Sequence, residues 1–582
     1  MNDQKNMILA IALSIAILIG FQLIIAELGL APQSPAPAPE QQQAETASGS
    51  TTPTPPTAQA PGSSLAPMVA PGVEIDRAAA LEAPPRIQVS TPTISGSISL
   101  SGARIDDVVL TQYRETPEPD SGNIRLLEPT NYTKPYYAEF GWVTGPEAGI
   151  DLPGAETVWT ADRPELTPST PVTLSWTNPQ GLVFTRTIAV DDAYLFTVTD
   201  TVANPGSNEH ALFPYGLISR GGMPEIIEFF ILHEGPLGVF DETLTEVDYE
   251  DLQEEGGQEV ASVGGWIGIT DKYWLAALVP GQEASWNYNF RHAIRNQDDR
   301  FQVDYLGDAM VLPAGGEITS TSHFFAGAKE LSILDRYEAE LNVASFDLAI
   351  DFGWFYFLTK PFFLALTWMN GIIGNFGLAI LALTVVIKLV FFPLANKSYE
   401  SMAKMKELTP KLQEMREKYG EDRQRLNEEM MALYKREKVN PAAGCLPILI
   451  QIPVFFALYK VLFVNIEMRH APFYGWIQDL SGPDPTSLFN LFGLIPWEPP
   501  LFLMIGAWPV IMGATMFLQQ KLNPQPTDPV QAKVFLFLPF LFTFLLAQFA
   551  AGLVIYWTWN NLLSILQQWV IMRRMGVKNA LA

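Results

Sequence analysis

A chain of 582 residues is too long for one ordinary domain, and its 48% hydrophobic and 12% aromatic content fits a protein partly soluble and partly embedded in lipid. The net charge of −26 argues against direct nucleic-acid binding, since the acidic residues concentrate between Glu40 and Asp351 while basic ones cluster beside the later apolar runs. The single cysteine, Cys445, excludes a disulfide framework and a cysteine metal site.

Met7 to Ala26 is an apolar run behind Lys5, long enough to span a bilayer and longer than a signal-peptide core. Residues 1–30 therefore read as a retained transmembrane anchor. Residues 31–75 hold Pro, Ala, Ser, Thr and Gln with few large apolar side chains, a composition that cannot bury a core and predicts a flexible tether. From 76 to 346 the pattern becomes short alternating runs. Val172, Leu174 and Trp176 alternate before the turn Asn178-Pro179-Gln180-Gly181; Phe184, Arg186, Ile188 and Val190 follow, then Tyr194, Phe196 and Val198. This spacing predicts a large antiparallel β-sandwich. Its acidic residues read as a solvated surface, and His210, His233, His292 and His323 show no ligand spacing, so no metal site is expected.

Residues 347–582 predict an α-helical polytopic core. The aromatic stretch 352–372 reads as a helix lying flat at the outer interface, and 376–394 as a spanning helix of about 28 Å. Residues 396–440 read as a helical hairpin: Met405, Leu408, Leu412, Met415 and Tyr419 step by three and four, Gly420 breaks the run, Asp422 caps, and Leu426, Met430 and Leu433 mark the second helix. Pro410 is expected to kink the first helix. Further spans are expected at 445–464, 501–518, 534–549 and 552–572. The eleven Lys and Arg residues between Lys397 and Lys438 place that hairpin in the cytoplasm, as do Lys521, Lys533, Arg573 and Arg574 for the later ends. Six crossings with both termini inside satisfy every basic cluster.

The five later spans contain no Asp, Glu or His, which argues against proton-coupled pumping, intramembrane proteolysis and hydrolysis. Lys388 is the exception inside an apolar run, with its Cα expected about 12 Å inside the cytoplasmic end of its helix. A charge near the bilayer centre costs about 2.5 to 3.5 kcal/mol unless water or a partner meets it. Thr384 lies one turn before Lys388; Tyr556, Asn560, Ser564 and Gln567 form one stripe of the last helix; Gln451 sits between Pro447 and Pro453. For any one of these residues, helix-to-helix hydrogen bonding is the simpler reading. Together with an unpaired lysine they predict a hydrated groove. On the hairpin, Met402, Met405, Met415, Met430 and Met431 either pack the two helices together or offer an adaptable surface to apolar segments. A solute channel or transporter whose lysine binds an anion, and a periplasmic binding or sugar-modifying protein merely anchored by its helices, are the rival readings.

The runs FDLAIDFGWFYFL, FFPLANKSYESMAKMKELTPKLQEMREKYG, EEMMALYKREKVNPAAGCLPILIQIPVFFALY and APFYGWIQDLSGPDP resemble the YidC family of membrane-protein insertases. The amino-terminal part resembles the form found in bacteria with an outer membrane, whose periplasmic domain is a β-supersandwich. The resemblance implies a multi-pass inner-membrane protein that inserts hydrophobic segments of nascent proteins, alone or beside the Sec translocon, with ribosome or targeting-receptor contacts. It implies no cofactor and no nucleotide hydrolysis. It also places Lys388 where relatives keep a positive residue, usually arginine, in a groove open to cytoplasm and lipid, and Thr384, Gln451, Tyr556 and Trp557 where they contact substrate or line that groove. Lysine here lacks the planar fork of arginine. The tail after Arg574 is short, unlike the long basic tails credited with ribosome docking in some relatives.

Overall fold

The computed structural model describes residues 77–574 apart from 83–84, 146–148, 225, 227–231, 296–297, 420–421, 438, 440–445, 498 and 523–528, so the predicted anchor and tether lie outside the described residues. After a short helix α1 (Arg77–Glu82), the chain builds two sheets, one of eleven strands and one of nine. Alternation is the cause. Along Val183–Val190 every second residue is buried, and this strand pairs antiparallel with Val172–Thr177 on one side and Leu195–Ala203 on the other. The alternating set includes Arg186, whose guanidinium is buried and donates to both oxygens of Asp200, its partner in register, at 2.7 and 3.1 Å. A buried charge is tolerated when its counter-ion and hydrogen bonds are built in. Helix α2 (Tyr249–Glu255) connects a strand of the nine-stranded sheet to one of the eleven-stranded sheet.

Helix α3 (Leu331–Leu341) follows the last strand and leads into a 3-10 turn at Phe346–Ala349. Phe346 is buried edge-on to Trp266 at 5.2 Å, so this segment belongs to the sandwich core at one end and to the helical half at the other. Two carboxylates make the connection. Asp347 accepts from Lys360 Nζ at 2.7 Å and from Tyr356 Oη at 2.8 Å, and Asp351 accepts from Lys460 Nζ at 2.6 Å.

The helical half comprises α4 (Tyr356–Ile373), α5 (Phe376–Val390), α6 (Phe392–Tyr419), α7 (Arg423–Arg436), α8 (Leu446–Val464), α9 (Ala507–Leu522), α10 (Pro529–Leu545) and α11 (Ala551–Arg574). Asn375 caps α5 by accepting from the Leu378 N–H, and Asp422 caps α7 by accepting from Arg425, as its position in the sequence suggests. Pro361 falls inside α4 and Pro410 inside α6, and each helix continues through its proline.

Three expected boundaries shift. The run 376–394 is not one helix: it breaks at Phe391, and α5 and α6 meet at a bend of 69°. Pro393 offers no N–H to the Leu389 carbonyl and its ring crowds it, whereas the first turn of a new helix accepts proline readily. The hairpin consequently starts at Phe392. Residues 501–518 are a 3-10 turn at Leu501–Leu503 followed by α9 only from Ala507, because the Asp484 carboxylate accepts the Trp508 N–H at 2.9 Å and the Thr486 hydroxyl accepts the Ala507 N–H at 3.0 Å, fixing the helix start there. Residues 534–549 end in a 3-10 turn at Leu546–Gln548. Among the described residues no single helix is both long and apolar enough to cross a membrane; the bent pair Phe376–Val390 and Phe392–Met402 reaches that length and composition together.

Candidate functional site

Helices α5, α8 and α11 share one apolar core through Ala379, Ile380, Leu383, Val454, Leu458 and Tyr556. Polar side chains on the same helices meet at two levels. Lys388 lies in the last turn of α5, not deep within a longer helix as the sequence suggested, and its charge there favours the helix dipole. Its Nζ donates to Ser564 Oγ of α11 at 2.8 Å, and that hydroxyl in turn donates to the Asn560 carbonyl at 2.8 Å. Among the described residues Lys388 has no ion pair, while Lys360, Lys411 and Lys460 do. Two turns away along α11, Tyr556 Oη accepts from Gln451 Nε2 of α8 at 3.0 Å.

Three members of the predicted stripe, Tyr556, Asn560 and Ser564, are buried, and Gln567 is partly so. Tyr556 faces α8 and Ser564 faces α5, so the stripe runs along the seam between them. Asn560 Oδ1 and Gln567 Nε2 are buried atoms without a hydrogen-bond partner among the described residues. Orphaned polar atoms on one face mark where water or a visiting polar group completes the bonding. Trp557, one residue off the stripe, packs edge-on to Phe455 at 4.7 Å and against Phe542 at 5.9 Å. Thr384 sits on the Lys388 face but is buried and spends its hydroxyl on the Ile380 carbonyl at 2.7 Å.

The hairpin methionines separate. Met402 is buried with Tyr399 against Ile571 of α11, so it fastens α6 to the bundle. Met405, Met415 and Met430 are half-buried, and Met431 is 51% exposed. Leu408, Leu412 and Leu433 are buried where α6 and α7 pack. Both readings of the hairpin thus find residues: apolar faces closing on each other, and methionine left on the rim.

Two features escaped the sequence reading. Lys460 is a second cation within an apolar run, and it is buried against Asp351 from the linker before α4. Asp484 organises the start of α9: besides Trp508, it accepts from Trp476 Nε1 at 3.0 Å and from the Thr486 N–H at 3.0 Å. The Ser481-Gly482-Pro483-Asp484-Pro485 run was the available signal for the second. Among the described residues no three His, Cys, Asp or Glu side chains gather into a metal site.

The 60Kd inner membrane protein family matches residues 368–578, and the YidC periplasmic domain family matches residues 86–365. The membrane protein insertase YidC of Methylobacterium nodulans is 51% identical over 588 residues, spanning 99% of this chain and 96% of its own. That of Beijerinckia indica is 50% identical over 585 residues, spanning 99% and 97%. A crystal structure of an active YidC insertase with its first transmembrane domain resolved aligns over 84% of this chain and 92% of its own, at 16% identity and a TM-score of 0.36. On the family models and on relatives at 50–51% identity over 99% of its length, the chain belongs to the YidC family of membrane protein insertases, with an inner-membrane region and a periplasmic domain.

Proposed function

We propose that this membrane protein insertase draws the polar or acidic outer segment of a substrate into a groove at the α5, α8 and α11 seam, while the substrate's apolar segment slides between α8 and α11 into lipid. The observation that carries this reading is Lys388: a cation in an apolar helix, held by one serine hydroxyl and by no carboxylate among the described residues. Such a group attracts an acidic segment without being neutralised in advance. Ser564, Asn560, Gln567, Tyr556 and Gln451 offer hydrogen bonds along the same seam, Thr384 lies one turn from Lys388, and Trp557 borders it. Burial of about twenty substrate residues in lipid supplies the driving force, so no nucleotide is needed.

The topology we propose has six crossings with both termini in the cytoplasm: an anchor at 1–30, a tether at 31–75, the periplasmic sandwich at 76–346, and the core at 347–582. The bend at Phe391 supports it, since α5 then leaves the membrane into the basic hairpin, which starts at Phe392, one turn after Lys388. Exposed Phe357 and Trp368, with Trp354 just before the helix, support α4 lying at the outer interface. The hairpin, with Met431 on its rim, meets the nascent segment first. The Sec translocon and the ribosome or its targeting receptor are the proposed partners beside the nascent chain and lipid.

The test is insertion of a substrate with an acidic outer tail into vesicles carrying Lys388→Ala, Lys388→Arg or Lys388→Glu protein. Arginine is expected to retain insertion, alanine to weaken it and glutamate to abolish it. Glutamate performing as well as arginine overturns the electrostatic account.

A further inference from the structure

The segment between α8 and α9 carries a surface that the insertion groove does not use. From Pro485 to Trp497 the sequence has no charged residue. Phe489, Leu491, Phe492, Leu494, Ile495 and Trp497 are all exposed, Leu494 to 82%. Scattered exposed apolar residues are ordinary, but six within nine positions form a patch that water disfavours.

The backbone beneath them is closed on itself. Leu491 N–H donates to Leu488 O, Phe492 to Ser487 O at 2.7 Å, Gly493 to Asn490 Oδ1 at 3.0 Å, Leu494 to Leu491 O, Ile495 to Asn490 O at 3.0 Å, and Trp497 to Ile495 O at 2.8 Å. Pro496 has no N–H to satisfy. Loops in water leave many of these groups to solvent; non-helical backbone in a lipid environment has to satisfy them internally. Leu491 and Phe492 adopt left-handed backbone, φ 51° and 58°, which bulky residues avoid.

The surroundings indicate what covers the patch. Its root is Asp484, whose carboxylate receives the indole N–H of half-exposed Trp476, an aromatic with one polar and one apolar end. On α9, which begins beside that root and falls in the span expected at 501–518, Ile511 and Leu518 are exposed as well. We propose that residues 488–497 insert into the lipid leaflet at the outer end of the bundle, as an uncharged wedge. The leaflet assigned rests on the orientation proposed above; lipid contact itself does not.

The test uses the full chain in proteoliposomes with Cys445→Ser and a nitrobenzoxadiazole label on Leu494→Cys. Ser169→Cys, exposed on the β-domain, is the control. The expected result is blue-shifted emission at position 494, quenched at least twofold by brominated phospholipid and little by aqueous iodide, with the reverse at 169. Adding Leu491→Asp and Ile495→Asp should return iodide access at 494. Equal iodide quenching at 494 and 169 overturns the proposal. So does lipid protection that appears only when a nascent apolar segment is added, which would make the patch a substrate site. Reaction of the unlabelled 169 cysteine with an impermeant maleimide, from the side opposite the basic hairpin, reads orientation separately.

Discussion

Lys388 and Ser564, 176 positions apart in the chain, meet at 2.8 Å where the last turn of α5 touches α11. The hydroxyl is a neutral partner: it orients the ammonium and leaves its charge for a substrate. Ser564→Asp would supply an internal counter-ion. Insertion of substrates with acidic outer tails should then fall about tenfold, equivalent to about 1.4 kcal/mol, while substrates with uncharged tails are little affected. Ser564→Ala, which removes only the orienting bond, should change insertion less than threefold. Parallel insertion assays on both substrate types check this, and an equal loss for both would remove the charge from the account.

At the opposite end of the bundle, Asp351 and Lys460 form a pair that is largely out of water, at 2.6 Å. Removing one member of such a pair strands the other, at a cost of about 3 to 5 kcal/mol. Asp351→Asn should therefore lower the thermal midpoint in detergent and open the linker to protease. Lys460→Met combined with Asp351→Asn should cost less than the two singles summed. A strictly additive double mutant would mean the pair contributes no coupling.

His233 touches this pair through its backbone N–H, which donates to Asp351 Oδ2 at 3.1 Å. Its ring nitrogens face the Asp248 carboxylate at 3.2 Å and the Pro236 carbonyl at 3.0 Å, two acceptors that call for a doubly protonated ring. Burial opposes that charge, but the Asp248 hydrogen bond, the Glu246 charge and the Pro236 carbonyl outweigh it, so the imidazole is held above its usual value. The resulting stability is fully present below the unfolded value near 6.5 and is lost as pH rises through the higher folded value. Unfolding midpoints should decline across that window in the native protein and stay flatter in His233→Gln. An identical slope in both would exclude His233 as the source.

Asp484 gathers four donors from three residues: the Trp476 indole, the Thr486 N–H and hydroxyl, and the Trp508 N–H. Replacing it by alanine uncaps α9 and strands those donors, a loss of about 1 to 3 kcal/mol. The expected readout is faster proteolysis between 485 and 506 with the β-domain fragment intact. Unchanged proteolysis would mean the cap is not what holds this segment.

Much of this protein is determined by local sequence. The alternation at Val183–Val190 dictated a strand, the three-and-four stepping of Leu408 and Leu412 dictated a packed helix, and Asp422 announced its cap, because each reflects a regular backbone seen by one buried face. Lys388 stood out for the same reason, as a charge where hydrocarbon was expected. What the tertiary structure decided were the partners. Apolar burial is non-directional and leaves its mark on every residue along a face, whereas a hydrogen bond or ion pair depends on two groups brought within 3 Å from distant parts of the chain. Lys460 looked like part of an apolar run until Asp351 lay beside it, Met402 looked like capture surface until Ile571 covered it, and the start of α9 was set by a carboxylate 24 residues upstream of Trp508.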